Sequence, residues 1–149
     1  MRVWRLCREP CVSLDGKGAE LKGGRWNSPG LPVVYTSAHL SLAVLEVLVH
    51  LEVDFEDLPE DYVSVEIDVP GKIRPAVFNN NIDIHNTLET RNYGDRWLMS
   101  AQSAALDVPS AVVPKERNVC LSPKHAEFVT IQTVSTEPFS FDQRLFEFG

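Results

Sequence analysis

Residues 31–51 read LPVVYTSAHLSLAVLEVLVHL, and this stretch decides the fold. Leu31–Thr36 is rich in β-branched residues, with Pro32 only at its start, where a strand tolerates it. Ser37 then stands before an apolar run and reads as the N-cap of a helix reaching Leu51. That helix is apolar on nearly every side, through Leu40, Leu42, Val44, Leu45, Val47, Leu48, Val49 and Leu51, which predicts a buried helix. Its polar residues His39, Glu46 and His50 share one stripe, because offsets of seven and four stay on one side of a helix. A carboxylate in such a helix is either paired in a cavity or turned to water. The pattern leaves both readings open, and leaves the roles of His39 and His50 open with them.

Outward from this unit the chain mixes strands and helices. Residues 2–6 and 62–69 alternate as strands do, and 128–134 reads as a final strand. Residues 13–30 are rich in Gly, Ser, Asp and Lys and read as loop, with a turn at Ser28-Pro29-Gly30. Residues 94–106 suggest a second helix, and Ser110–Val113 a short strand between two prolines. Ser122-Pro123 reads as a cap and first residue of a short helix. No βαβ rhythm recurs, so the pattern predicts an α+β fold. No repeat or linker divides the chain, so residues 1–149 read as one domain.

Composition narrows the function. The chain has 149 residues, 44% of them apolar, which is ordinary for a globular protein with one core. With 14 Lys+Arg against 21 Asp+Glu the net charge is −7, which argues against a nucleic-acid face but allows a local anion site. The opening MRVWRLCREPC has no apolar run and reads as no signal peptide. Leu40–Leu51 is too short to span a bilayer. The three cysteines, Cys7, Cys11 and Cys120, build neither a disulfide framework nor a zinc site, so a reducing cytoplasm is expected.

Other residues invite chemical readings. Arg25 follows Gly23-Gly24 and precedes Trp26-Asn27; glycines permit close approach of backbone to a ligand, and a guanidinium fork grips phosphate. Tyr35 ends the first strand of the unit and could stack on a planar ring or serve as a core aromatic. The run PSAVVPKERNVCLSPKH, residues 109–125, holds Ser110, Glu116, Asn118, Cys120 and His125, but no GxSxG elbow surrounds the serine. A lone cysteine is more often a small buried hydrophobe than a nucleophile.

Together, GGRWNSPGLPVVYTSAHLSLAVLEVLVHL and PSAVVPKERNVCLSPKH resemble the RES domain, the toxin half of bacterial RES–Xre toxin–antitoxin pairs. The resemblance runs from Arg5 to about Phe128. It rests on Arg25, on Tyr35 ten residues later, on Glu46 eleven further, and on the late Ser110 with Pro114-x-Glu116-x-Asn118. Ser122 departs from it, standing where an asparagine is expected. The resemblance implies a fold like the mono-ADP-ribosyltransferase toxins, a split sheet with flanking helices around an NAD⁺ cleft. It implies cleavage of the nicotinamide–ribose bond with water or phosphate as acceptor, no metal, no permanently bound cofactor, and an Xre-type helix-turn-helix antitoxin that masks the cleft. Carried onto this chain, the catalytic set is Arg25, Tyr35, Glu46 and Ser110, with Trp26, Asn118 and Glu116 as weaker substrate-binding candidates. Three alternatives remain: a mono-ADP-ribosyltransferase with a protein target, a nucleotide-binding module without turnover, and a hydrolase built on Cys120 and His125.

Overall fold

The computed structural model describes residues 1–147; residues 148–149, the end of the domain read from sequence, lie outside the described residues. Strand β1 (Arg2–Arg8) alternates its side chains, sending Val3 and Cys7 to one face and Trp4 and Leu6 to the other. It pairs antiparallel along its whole length with β3 (Tyr62–Asp68), which continues to the edge strand β7 (Gln132–Pro138) through a bulge at Glu66/Ile67. A second group runs β4 (Ala76–Val77), β5 (Ala105–Pro109), β6 (Arg117–Leu121) and β2 (Val34–Ser37). Here β4–β5 is parallel and the other pairs are antiparallel. Among the described residues the two groups meet at a single residue pair, Trp4 with Ser37, so the seven-stranded mixed sheet is split between β2 and β1. The α+β split sheet expected from the sequence is therefore present.

One face of the sheet buries Val3, Val34, Val65, Ile67, Val119 and Leu121. The other carries two separate cores. At one end α3 (Thr87–Ser100) brings Trp97 and Tyr93 onto Leu106, Val108, Cys120 and Trp26. At the other end α2 (Leu40–Leu48) lays Ala43, Val44 and Val47 on Leu6, Trp4 and Tyr62, backed by Phe141. The split lies between the two.

Several boundaries differ from the sequence reading. The second helix is Thr87–Ser100, not 94–106: Asn86 caps it by accepting from the Glu89 amide, and Ala101, at φ 53°, ends it in the left-handed region. The wholly buried run after it, Ala104–Leu106, opens strand β5; a short apolar run carries no periodicity that separates strand from helix. Ser110–Val113 is not a strand but the turn leaving β5. The strand beyond it, β6, is one the sequence reading did not contain. At Ser122-Pro123 there is a turn, closed by the His125 amide on the Ser122 carbonyl, and a 3-10 helix follows only at Ala126–Thr130. The last strand consequently starts at Gln132 rather than 128. A short helix, α1 (Lys17–Lys22), interrupts the expected loop 13–30.

The helix after β2 is also shorter than expected. Its N-cap is His39, without a side-chain cap bond, and the Ser37 hydroxyl is used elsewhere. Only Leu42 and Ala43 are buried, and Val49 just past its end is 55% exposed, so this apolar helix is half-buried. Among the described residues no helix is long and apolar enough to cross a membrane.

Candidate active site

Glu46 sits on the half-buried α2 and reaches across to the ends of β5 and β6. Its Oε1 accepts two hydrogen bonds, from Ser110 Oγ at 2.7 Å and from Asn118 Nδ2 at 2.7 Å. Among the described residues no partner engages Oε2, which stays open to solvent. Ser110 itself has no exposed surface. Its oxygen accepts from the Val112 and Val113 amides, both at 3.0 Å, so its one proton is left for Glu46. The turn Ser110–Val113 thus exists to aim a hydroxyl at the carboxylate. Asn118 is steadied in turn by Ser37, whose hydroxyl donates to Oδ1 at 2.7 Å.

Arg25 stands in a loop packed against α3. Arg25 Nη1 donates to the Ile84 carbonyl at 2.6 Å, and its other guanidinium nitrogens have no partner among the described residues. The loop is pinned to α3 three times. Thr90 Oγ1 donates to the Arg25 carbonyl at 2.6 Å, Arg91 Nε to the Gly24 carbonyl at 2.7 Å, and the Ser28 amide to Asp95 at 2.8 Å. Below it lies Tyr35, whose hydroxyl donates to Asn27 Oδ1 at 2.6 Å and accepts from the Trp26 amide at 3.0 Å. Burial pushes this phenol well above its ordinary range, so it stays protonated and keeps donating. Tyr35 is mostly buried against the core around Trp26, and its oxygen is committed to the loop. Gly24 permits the contact: a Cβ there would stand 2.6 Å from the Tyr35 oxygen. The glycine pair therefore serves close packing of the loop on Tyr35 and the left-handed turn at Gly23 (φ +72°), rather than a ligand as first read.

The weaker candidates separate clearly. Trp26 is buried among Phe78 and Tyr93, edge-on to both, and is a core residue. Glu116 is partly exposed, its carboxylate 3.8 Å from His39 Nε2. Asn118 is part of the carboxylate network. The late histidine, His125, caps the 3-10 helix with Nδ1, and its Nε2 bonds the Ala101 carbonyl, so both ring nitrogens are spent. Cys120 is wholly buried, and burial pushes its thiol far above the ordinary value; a Cys120–His125 nucleophile pair is excluded by this arrangement. Among the described residues no group of three His, Cys, Asp or Glu could hold a metal ion. A cavity of about 600 Å³ between Asp15, Lys17, Glu20 and Lys124 includes none of the site residues.

The thiols give a direct check. Only Cys11 is exposed. One thiol per native chain is expected to react quickly with an aromatic disulfide reagent, and all three after unfolding. Fast reaction of a second thiol would show that the core around Cys7 or Cys120 is open.

Glu46, Ser110 and Asn118 thus form one hydrogen-bond network, Tyr35 lies under the loop that carries Arg25, and a family model described as the RES domain matches residues 2–142. This chain belongs to the RES domain family. Among its relatives, the Toxin Res of Photorhabdus laumondii is 38% identical, with 97% of each chain covered. The Toxin Res of Pseudomonas putida is 34% identical, with 98% of this chain and 100% of the other covered. The Prs ADP-ribosylating toxin of a Sphingobium species is 32% identical, covering 95% of this chain and 94% of that one. The RES fold seen here also matches a chain of the Mycobacterium tuberculosis MbcT–MbcA toxin–antitoxin complex with a TM-score of 0.77. That match holds at 16% identity, over 93% of this chain and 84% of that one.

Proposed function

We propose that this RES protein is the toxin of a toxin–antitoxin pair and cleaves the nicotinamide–ribose bond of NAD⁺ in the cytoplasm. The observation that carries the reading is Glu46: one carboxylate oxygen is held by two donors and the other is free, at the split of the sheet. Nicotinamide leaves as a neutral molecule from a cationic ring, so its departure needs little acid help. The barrier lies in the electron-poor, oxocarbenium-like ribose, akin to that of glycoside hydrolysis. A fixed carboxylate opposes that charge without reorganising. Glu46 Oε2 takes this role, on the ribose or its 2′-hydroxyl, with water or inorganic phosphate attacking the freed carbon. Arg25 holds the pyrophosphate or adjoining ribose with its unpaired guanidinium nitrogens, and the Tyr35 face packs on nicotinamide. Ser110, fully engaged in the turn, acts by holding Glu46. No metal or resident cofactor enters this scheme.

A second reading is favoured by one relative. The Sphingobium protein is named for ADP-ribosylating Prs, and the same carboxylate would serve transfer of ADP-ribose to a protein side chain. Relatives named as toxins and a fold shared with a toxin–antitoxin complex also support an antitoxin partner; we assign it to the Xre type, covering the cleft and so blocking NAD⁺.

The test is release of free nicotinamide from NAD⁺ by the purified protein, with and without phosphate. Release without an adduct supports cleavage, and a phosphate requirement names the acceptor. Nicotinamide release only with lysate, together with an ADP-ribose adduct on one protein, supports transfer. Nucleotide binding with no release under either condition would leave a binding module and overturn the reading. Arg25→Ala is expected to raise KM for NAD⁺ about 10- to 100-fold, the loss of a charge-assisted contact. An unchanged KM would remove Arg25 from the site.

A further inference from the structure

We propose that Ser37 is a positioning residue for Glu46, acting through Asn118; this rests on the reading of Glu46 as the residue that opposes ribose charge. The donor and acceptor chemistry of the chain of contacts allows only one arrangement. An ionised carboxylate only accepts, so Asn118 must turn its Nδ2 toward Glu46 Oε1, as it does at 2.7 Å. Its Oδ1 then faces Ser37, and the Ser37 hydroxyl must be the donor, as it is at 2.7 Å.

Without that hydroxyl Oδ1 would have no donor among the described residues, and the single bond to Glu46 would no longer fix the plane of the Asn118 amide. Ser37 supplies this second restraint. It is buried, 4% exposed, so water does not replace its hydroxyl freely. It is also the register partner of Asn118 across β2–β6, so backbone pairing sets its approach. The same residue is paired with Trp4 in the only pair among the described residues that bridges the split sheet. Ser37 therefore ties the aim of Glu46 to the place where the two halves of the sheet join. Its role differs from that of Ser110, which touches the carboxylate directly.

The experiment is a double-mutant cycle with Ser37→Ala, Asn118→Ala and the pair, read as kcat and KM for nicotinamide release. Ser37→Ala is expected to lower kcat about tenfold, with KM within about twofold, as befits one hydrogen bond to an aiming group. In the Asn118→Ala background the same change is expected to cost nothing further. Ser37→Thr keeps the hydroxyl and suits a strand, so it is expected to recover most of the rate. Losses that multiply in the pair, or a Ser37→Thr protein that is folded yet as slow as Ser37→Ala, would overturn the proposal.

A second readout does not depend on turnover. The side-chain amide protons of Asn118, assigned by their loss in Asn118→Ala, are expected downfield by NMR because one donates to a carboxylate. In Ser37→Ala they should return toward free-asparagine values. If they stay in place, the relay is wrong. If the wild-type protein releases no nicotinamide, the proposed function falls, and this spectrum still decides whether Ser37 orients Asn118.

Discussion

Replacing Glu46 with glutamine is expected to lower NAD⁺ turnover about 100- to 1000-fold while leaving the fold intact. The substitution keeps the shape of the side chain. Its amide oxygen can still accept from Ser110 Oγ and Asn118 Nδ2, the two bonds that Oε1 accepts now. What disappears is the negative charge and the free acceptor at Oε2, replaced by an NH₂ group that donates. A donor next to a developing cation is worse than neutral, so the loss falls on kcat rather than on KM. Initial rates of nicotinamide release, beside a thermal melt, test this. A folded Glu46→Gln protein with full turnover would remove the carboxylate from the chemistry and with it the proposed function.

The largest structural effect is expected at a residue far from any charge. Gly94 lies in the middle of α3, where alanine would ordinarily gain about 1 kcal/mol of helix propensity. Here a Cβ would stand 1.7 Å from the Trp26 carbonyl oxygen and 2.6 Å from its carbonyl carbon. These are backbone atoms and no rotamer change relieves them. Trp26 cannot retreat easily either, because its ring is buried against Phe78 and Tyr93 and the residues beside it are bonded to Thr90 and Asp95. Gly94→Ala is therefore expected to destabilise by about 3 kcal/mol or more, since overpacking outweighs the propensity gain. For a chain of this size that corresponds to a fall in Tm of roughly 6–12 °C. Thermal or urea unfolding reads it directly. A Tm equal to the wild type would mean that α3 can move off the arginine loop without cost, against the close contact described above. Because the loop carries Arg25, KM for NAD⁺ should rise in the same variant.

Much of the site could be read in the chain because its residue types are unusual where they occur. A carboxylate inside LAVLEVLVH is conspicuous against its apolar neighbours, and Arg25, Tyr35 and Ser110 keep a spacing that identifies the family. Their geometric consequences were less legible. Tyr35 reads equally as a stacking ring or a core aromatic, and only the fold shows its hydroxyl bonded beneath the loop. Ser37 passed as a helix cap because serine before an apolar run usually is one. Its real partner is 81 positions away, and strand pairing alone brings the two together. The helix over residues 87–100 had a readable start, Asn86-x-x-Glu89, the spacing of a capping pair, but its first turn is polar and hid it. Strand β6 was missed because Arg117 and Asn118 break the apolar pattern. Those side chains are polar since one pairs with Asp107 and the other serves the site.

The single-pair join between the sheet halves has a mechanical consequence. Glu46 rides on a helix seated mainly over β1, in a cluster with Leu6 and Tyr62, whereas Ser110 and Asn118 belong to the other half. The carboxylate is thus a strut across a seam that the backbone barely closes. Alignment at the site is governed by how firmly α2 is clamped, and that clamp extends to Phe139, Phe141 and Phe146 near the end of the chain. A misplacement of about 1 Å costs on the order of 100-fold in rate. Aromatic residues near the end of the chain thereby set how closely the Glu46 carboxylate is held in register with Ser110 and Asn118.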